Sequence, residues 1–274
     1  MGSPLARALS VALLALAVGC APSRPATVEA APETPEVAGP VFAGPMRADP
    51  AVDAATLVAA IHARHAGSWY RTLTFTQRTS RRQPDGTISV ETWREWLALP
   101  GRLRVEMDDP LAGTDVLFVG DTTYVYADGE LAAARPSRNA LLLWGFDAAV
   151  QDPAETLRIA AAEGVDVDAF RTDTFDGRAM YVLGTPASGE VWIERERLLF
   201  VRLVEQQGDA VQDVRFENYQ RLGGGWIAPF VTVRVDGEIV FWETYAEMVA
   251  DPALAPVLFD PRRWAEGAAA SGAR

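Results

Sequence analysis

The spacing of hydrophobic and polar positions changes several times along this chain, and each change marks an element. Residues 8–18 are apolar apart from Ser10. From 21 to 50 there is no period; Pro22, Pro25, Pro32, Pro35, Pro40 and Pro45 stand among Ala, Glu, Thr and Val. Leu57, Val58 and Ile61 then form a helical stripe. The predicted helix runs from about Asp53, its cap, to Ala66, with Gly67 as its stop. At Thr72 the period drops to two: Leu73 and Phe75 share one face, and Thr72, Thr74 and Thr76 the other. That is a half-buried strand. After a turn at Pro84-Asp85-Gly86, a second strand from Ile88 to Leu99 puts Trp93, Leu97 and Leu99 on one side. Beyond Pro100-Gly101, Leu103, Val105 and Met107 alternate with Arg102, Arg104 and Glu106. Residues 108–114 read as a loop, and Val116–Val119 and Thr123–Ala127 as a pair turned at Gly120-Asp121.

The middle of the chain is helical. Asn139–Phe146 is a short apolar stretch. Asp152-Pro153-Ala154-Glu155 opens a helix with cap, first-turn proline and capping glutamate in order, ending near Gly164. Strands resume over Phe170–Phe175, Ala179–Thr185, Glu190–Ile193, Leu198–Gln206, Val211–Leu222 and Trp226–Val235. Asp236-Gly237 is a hairpin signal into Glu238–Glu247. Gly, Ala and Ser dominate after Trp264, so 263–274 is expected to be a disordered tail. Roughly ten strands with two or three helices cannot bury an inner face as a flat sheet. The expected fold is mainly β (α+β): a strongly curved antiparallel sheet, an incomplete half-barrel with two or three helices in its concavity, over 51–262.

The N-terminal pattern places this domain. Arg7 precedes the apolar run, and Ala17-Val18-Gly19-Cys20 follows it. The run is shorter than the ~20 residues that span a bilayer and fits a cleaved signal. Small residues before a lone cysteine mark a lipoprotein signal peptide over 1–19. Cys20 then becomes the lipidated first residue, and 20–50 a proline-rich tether. Ala21, rather than Asp, follows the cysteine, which points to the outer membrane under the Gram-negative sorting rule. Cys20 is the only cysteine, so no intramolecular disulfide forms. The covalent lipid is the only cofactor expected. The net charge is −12 and every basic residue is Arg. Such a balance argues against nucleic acid as a partner.

Catalytic patterns are sparse. His62 and His65 lie three apart on the first helix with Arg64 between them. They read as a structural pair, and no metal is expected. Asp108-Asp109 and Asp166/Asp168 fall in loops or turns and read as solvated charges. There is no nucleophile elbow or phosphate loop. The expectation is a protein that is not an enzyme.

Three landmarks carry a resemblance: Phe75-Thr76-Gln77; Pro100-Gly101-Arg102-Leu103-Arg104-Val105-Glu106; and Val119-Gly120-Asp121-Thr122-Thr123-Tyr124-Val125-Tyr126 with Asp128-Gly129. In this order, on a lipoprotein, they resemble the LolA/LolB-type lipoprotein carriers over about Val52 to Pro261. The resemblance implies an incomplete antiparallel barrel capped by helices, with an apolar cavity for acyl chains. Leu73, Phe75, Trp93, Leu97, Leu103, Val105 and Met107 are the candidate cavity residues. The soluble carrier has an arginine before its P-G turn; Leu99 stands there in this chain. The receptor member exposes a leucine in the loop after its third strand. Leu111 is the counterpart, either contacting the membrane or tucked into the sheet edge. The implied function is a lipid-anchored envelope protein holding acyl chains of lipoproteins or other lipids, in sorting at the outer membrane. Implied partners are the membrane, the lipid or lipoprotein, and a periplasmic carrier or envelope protein. A sensor or adaptor, or a structural lipoprotein, on the same fold is the alternative.

Overall fold

A computed structural model describes residues 51–107 and 111–272. Cys20, the signal over 1–19, the tether over 20–50 and Asp108-Asp109 lie outside the described residues. Helix α1 spans Ala54–His65. Asp53 caps it by accepting from the Thr56 amide, while the Thr56 hydroxyl accepts from the Asp53 amide. Six strands follow: β1 (Thr72–Arg82), β2 (Ile88–Ala98), β3 (Arg102–Met107), β4 (Thr114–Val119), β5 (Thr122–Ala127) and β6 (Glu130–Pro136). An insertion carries α2 (Ala140–Gly145) and α3 (Pro153–Ala162). Asp152 is the predicted cap of α3, its side chain accepting from the amides of Ala154 and Glu155; α2 is capped by Asn139, whose side chain accepts from Leu141 and Leu142.

Strands then resume as β7 (Phe170–Phe175), β8 (Arg178–Thr185), β9 (Gly189–Glu194), β10 (Leu199–Gln207), β11 (Ala210–Glu217), β12 (Gln220–Leu222), β13 (Gly225–Ile227), β14 (Phe230–Val235) and β15 (Glu238–Ala250). Thirteen of them form one antiparallel sheet in the order β6-β5-β4-β3-β2-β1-β15-β14-β11-β10-β9-β8-β7. The sheet is not closed, because its edges β6 and β7 do not pair with each other. β1 and β15 join the two meanders at its centre. Leu57, Val58 and Ile61 of α1 and Leu141, Leu142 and Trp144 of α2 share one core with Leu73, Leu97, Val231 and Val233 from the sheet. α1 to α3 therefore cover the inner face.

The C-terminal segment departs from the expected disordered tail. Residues Trp264–Ala270 form α4, and Trp264 is 3% exposed. The reason lies on the outer face, where Trp96, Ala98, Leu117 and Tyr126 form a second core with Leu258, Phe259 and Trp264. Tyr126 stacks on Trp264 at 4.1 Å and donates its hydroxyl to the carbonyl of Pro261 at 2.7 Å. Beneath the same indole lies Arg104, its guanidinium 3.5 Å from the ring centroid and 2.6 Å from Glu106. Arg104 also donates to the carbonyls of Leu258 and Trp264, both at 3.3 Å. A 3.5-residue or 3.6-residue period is weak in so short an Ala-rich helix, and tertiary packing supplies what local sequence lacks.

Candidate functional site

Register decides what faces the concavity. Cross-strand partners share a face. Phe75 lies opposite Glu95, which lies opposite Val105; Gln77 lies opposite both Trp93 and Tyr245; Thr79 lies opposite Glu243. The inner face of β1, β2, β3 and β15 is thus apolar with a polar centre. Between it and the insertion is a cavity of about 50 Å³. About 10–15 Å³ on this measure admits one water, so it holds roughly four. Phe75, Trp93, Leu97, Leu103, Val105 and Met107 line it, with Val116 and Phe118 of β4. Leu141, Leu142 and Phe146 of the insertion form its roof, and Gln77, Glu95, Asn139, Glu243 and Tyr245 are its polar members. Leu73 is buried in the adjoining core and does not line it.

The volume is far below the ~300–1,000 Å³ of ligand cavities. Three insertion side chains fill much of the groove. A long chain enters only where those side chains move out. A buried ion pair holds the insertion beside the Pro100-Gly101 turn. Asp147 accepts from the Gly101 amide at 2.8 Å and pairs with Arg138 at 2.7 Å. Burial pushes the Asp147 carboxyl up to about 6, against the opposing pull of Arg138 and the Gly101 amide. Gly101 has φ +79, and a Cβ there would lie 2.8 Å from the Arg138 guanidinium. Leu99 is buried in the inner core, so the cation at this turn comes from Arg138, 39 positions later in the chain as 138 − 99.

The polar centre is unusual chemically. Tyr245 stacks on Phe75 at 4.3 Å and donates its hydroxyl to Glu243 at 2.9 Å. Burial pushes Glu243 up to about 7, with the Tyr245 and Gln77 hydrogen bonds pulling it down. Burial, then the nearby Glu243 charge, raises Glu95 well above the usual carboxylate range. Burial and Glu243 likewise raise the Tyr245 phenol. Neither glutamate was among the sequence candidates. A signal for both exists, because Glu95 sits between Trp93 and Leu97 at the spacing of one strand face, and Glu243 between Phe241 and Tyr245.

The remaining candidates lie elsewhere. His65 is buried, its Nε2 3.0 Å from the carbonyl of Arg197 and its ring edge-on to Trp69 at 5.0 Å. Desolvation lowers its pKa to about 4. Among the described residues no three His, Cys, Asp or Glu side chains are grouped to hold a metal ion. Asp166 and Asp168 are a turn pair: the Asp166 carboxylate accepts from the Asp168 amide at 3.2 Å. Leu111 is 53% exposed and lies beside Gly129 at the β5–β6 turn.

No protein-family model matches this chain, and no curated protein matches its sequence. Solved structures do match its fold. A DUF1329 family protein from Desulfovibrio piger superposes with a TM-score of 0.52 at 15% identity, over 76% of this chain and 96% of that one. A putative outer membrane lipoprotein-sorting protein domain from Vibrio parahaemolyticus gives 0.54 at 14% identity, over 77% of this chain and 97% of its own. At such identity the likeness is one of architecture. The open antiparallel sheet with helices on its inner face is a LolA-like fold.

Proposed function

We propose that this protein is a lipid-anchored envelope protein that holds acyl chains in the inner-face cavity without covalent chemistry. The observation that carries the reading is the apolar groove of Phe75, Trp93, Leu97, Leu103, Val105 and Met107, roofed by side chains of a separate insertion. The energetics suit reversible holding. A chain of about 14 methylenes gains ~11 kcal/mol gross on burial, at ~0.8 per methylene. Exposing Leu141, Leu142 and Phe146 opposes that by about 5–9 kcal/mol. The surplus is small enough for a ligand to be passed on. Net transfer then depends on differential affinity between this protein and its donor or acceptor.

The rest of the reading follows the chain outward. Cys20 carries the lipid anchor, and residues 20–50 let the domain range from the membrane. The setting is the outer membrane facing the periplasm, in lipoprotein or lipid sorting. One structural neighbour is described as an outer membrane lipoprotein-sorting domain. Leu111, exposed beside Gly129 of the β5–β6 turn, is the membrane-contact residue.

The test is lipid extraction and mass spectrometry of the full chain purified from a bacterial envelope, beside Phe75→Asp and Leu103→Asp variants of unchanged circular dichroism. A co-purifying acyl species lost in the variants supports the reading. A folded protein that stays empty when offered phospholipid and lipopeptide overturns it. The small volume would then mark a structural lipoprotein with a filled core.

A further inference from the structure

Buried acids in this protein are partnered almost everywhere. Glu106 meets Arg104 at 2.6 Å, Asp147 meets Arg138 at 2.7 Å, and Asp213 meets Arg202 at 2.8 Å. Glu194 meets Arg197 at 2.9 Å and Glu190 meets Arg171 at 3.0 Å. Asp115 accepts from the Met107 amide at 2.7 Å. Among the described residues, two buried acids break the pattern, and they line the same cavity; the partly buried Glu205, raised to about 7 by desolvation alone, lies outside it. Among the described residues the donors to Glu243 are the neutral Tyr245 and Gln77. Glu95, 7% exposed, has neither a hydrogen-bond donor nor a cation against it among the described residues; its electrostatic neighbour is Glu243. Among the described residues no basic side chain lines the cavity.

A groove meant only for hydrocarbon has no use for two carboxyls, because each is expensive to bury and repels the other when ionised. A ligand that supplies positive charge and N–H donors removes both penalties. We propose that the cavity selects amphiphiles whose polar end is a primary ammonium, seated between Glu95 and Glu243, with the hydrocarbon along Phe75, Trp93 and Val105 in the space that Leu141 and Leu142 now fill. This rests on the lipid-binding reading of the same cavity and adds the chemistry of the ligand's polar end.

Proton linkage follows. Around the seat stand Glu95 from β2, Glu243 and Tyr245 from β15, Gln77 from β1 and Asn139 from the insertion. Of these, Glu95, Glu243 and Tyr245 titrate, and burial raises all three. Burial favours the protonated forms of the two glutamates, and an ammonium favours their ionised forms. Binding of the amine therefore releases a proton, and preference for it grows as pH rises.

The experiment offers the full chain, in a nonionic detergent, equal amounts of hexadecylamine, hexadecanol and phosphatidylethanolamine. Free probe is removed by gel filtration, and retained probe is quantified by mass spectrometry. The expected result is amine retained over alcohol by about tenfold or more, the factor that one pKa unit represents. Glu95→Gln combined with Glu243→Gln should bring that ratio near one while hexadecanol is still retained. Should that variant not fold, the wild-type ratio decides: it should rise about tenfold from about pH 5 to about pH 8. Retention of hexadecylamine alone makes a phosphate-free aminolipid the source of the ammonium; retention of phosphatidylethanolamine as well makes a headgroup the source. Both outcomes support the proposal. Amine and alcohol retained equally at every pH overturns it and leaves lipid binding standing. Retention of none of the three overturns both.

Discussion

Strands β2 and β3 bury acids on both of their faces, in opposite ways. On the outer face, Glu106 is tied to Arg104, which is sandwiched by Trp264 and two carbonyls and sealed under α4. On the inner face, Glu95 shares the cavity with a second acid, Glu243, which disfavours its ionised form. The outer arrangement is complementary, and its satisfied polar groups lock one packing. The inner one is electrostatically incomplete, and this is where stability has been given up. Burial of charge by itself says little; whether the partner is supplied from within separates a structural site from a candidate binding site.

The largest expected effect tests the outer face. Arg104→Ala leaves Glu106 buried without its cation and removes the support of Trp264. A loss of about 3–5 kcal/mol is expected in urea unfolding, as for other broken buried pairs. Limited proteolysis should then cut near residues 260–272 first. A variant as stable as wild type, with α4 still protected, would break the contrast between the faces.

Next comes the clasp on the insertion. Asp147→Asn keeps an acceptor for the Gly101 amide but leaves the buried Arg138 with only the exposed Asp121, at 3.7 Å, as an anion. A loss of about 1–3 kcal/mol is expected. It should be seen as faster amide exchange in α2, with β10 and β14 unaffected. Uniform acceleration across the sheet would mean that the insertion has no separate opening.

Substitution on the inner face should act with the opposite sign. The folded-state pKa of Glu243 is raised, to about 7 from 4.5. The folded protein therefore binds more protons than the unfolded chain between those values, and stability falls as pH rises through that window. Glu243→Gln should match wild type below about pH 4.5 and exceed it by about 1–2 kcal/mol near neutrality. Thermal melting of both proteins across that range checks this. A variant less stable than wild type at neutral pH would mean that Glu243 is partnered as fully as Glu106.

The smallest effect on stability is expected at Leu111. Leu111→Asp should change the melting free energy by less than about 0.5 kcal/mol. Vesicle flotation, by contrast, should show weaker contact of the domain with phospholipid. Unchanged flotation would remove Leu111 from the membrane-contact role.

Much of the inner face was legible because strand periodicity reports which side chains share a side. Six of the seven residues singled out on β1 to β3 line the cavity; Leu73 lies one position further along the same face, in the solid core. The caps Asp53 and Asp152 were legible for a local reason, since each bonds amides within a few residues; Asn139 caps α2 in the same way but was not read as a cap. The outer core was missed, although Trp96-Leu97-Ala98-Leu99 and Val116-Leu117-Phe118-Val119 are unbroken apolar runs. Such runs signal strands buried on both faces. The alternation of Arg104 and Glu106 with Leu103 and Val105 masked that signal.

By itself the sequence determined the order of most elements (though not β6 or α4), the helical interruption of a long antiparallel meander, and which faces of the first strands are apolar. These are matters of local period, turn chemistry and capping, each settled within about ten residues. Only the tertiary structure decided that α4 folds back over Arg104, that Arg138 reaches the Gly101 turn, and that Glu95 and Glu243 line one cavity. The β1–β15 pairing joins distant parts of the chain, and a shift in register between Thr74 and Thr76 sets which side chains it aligns. Periodicity tells which way a side chain points; what it meets there depends on contacts that no local pattern encodes.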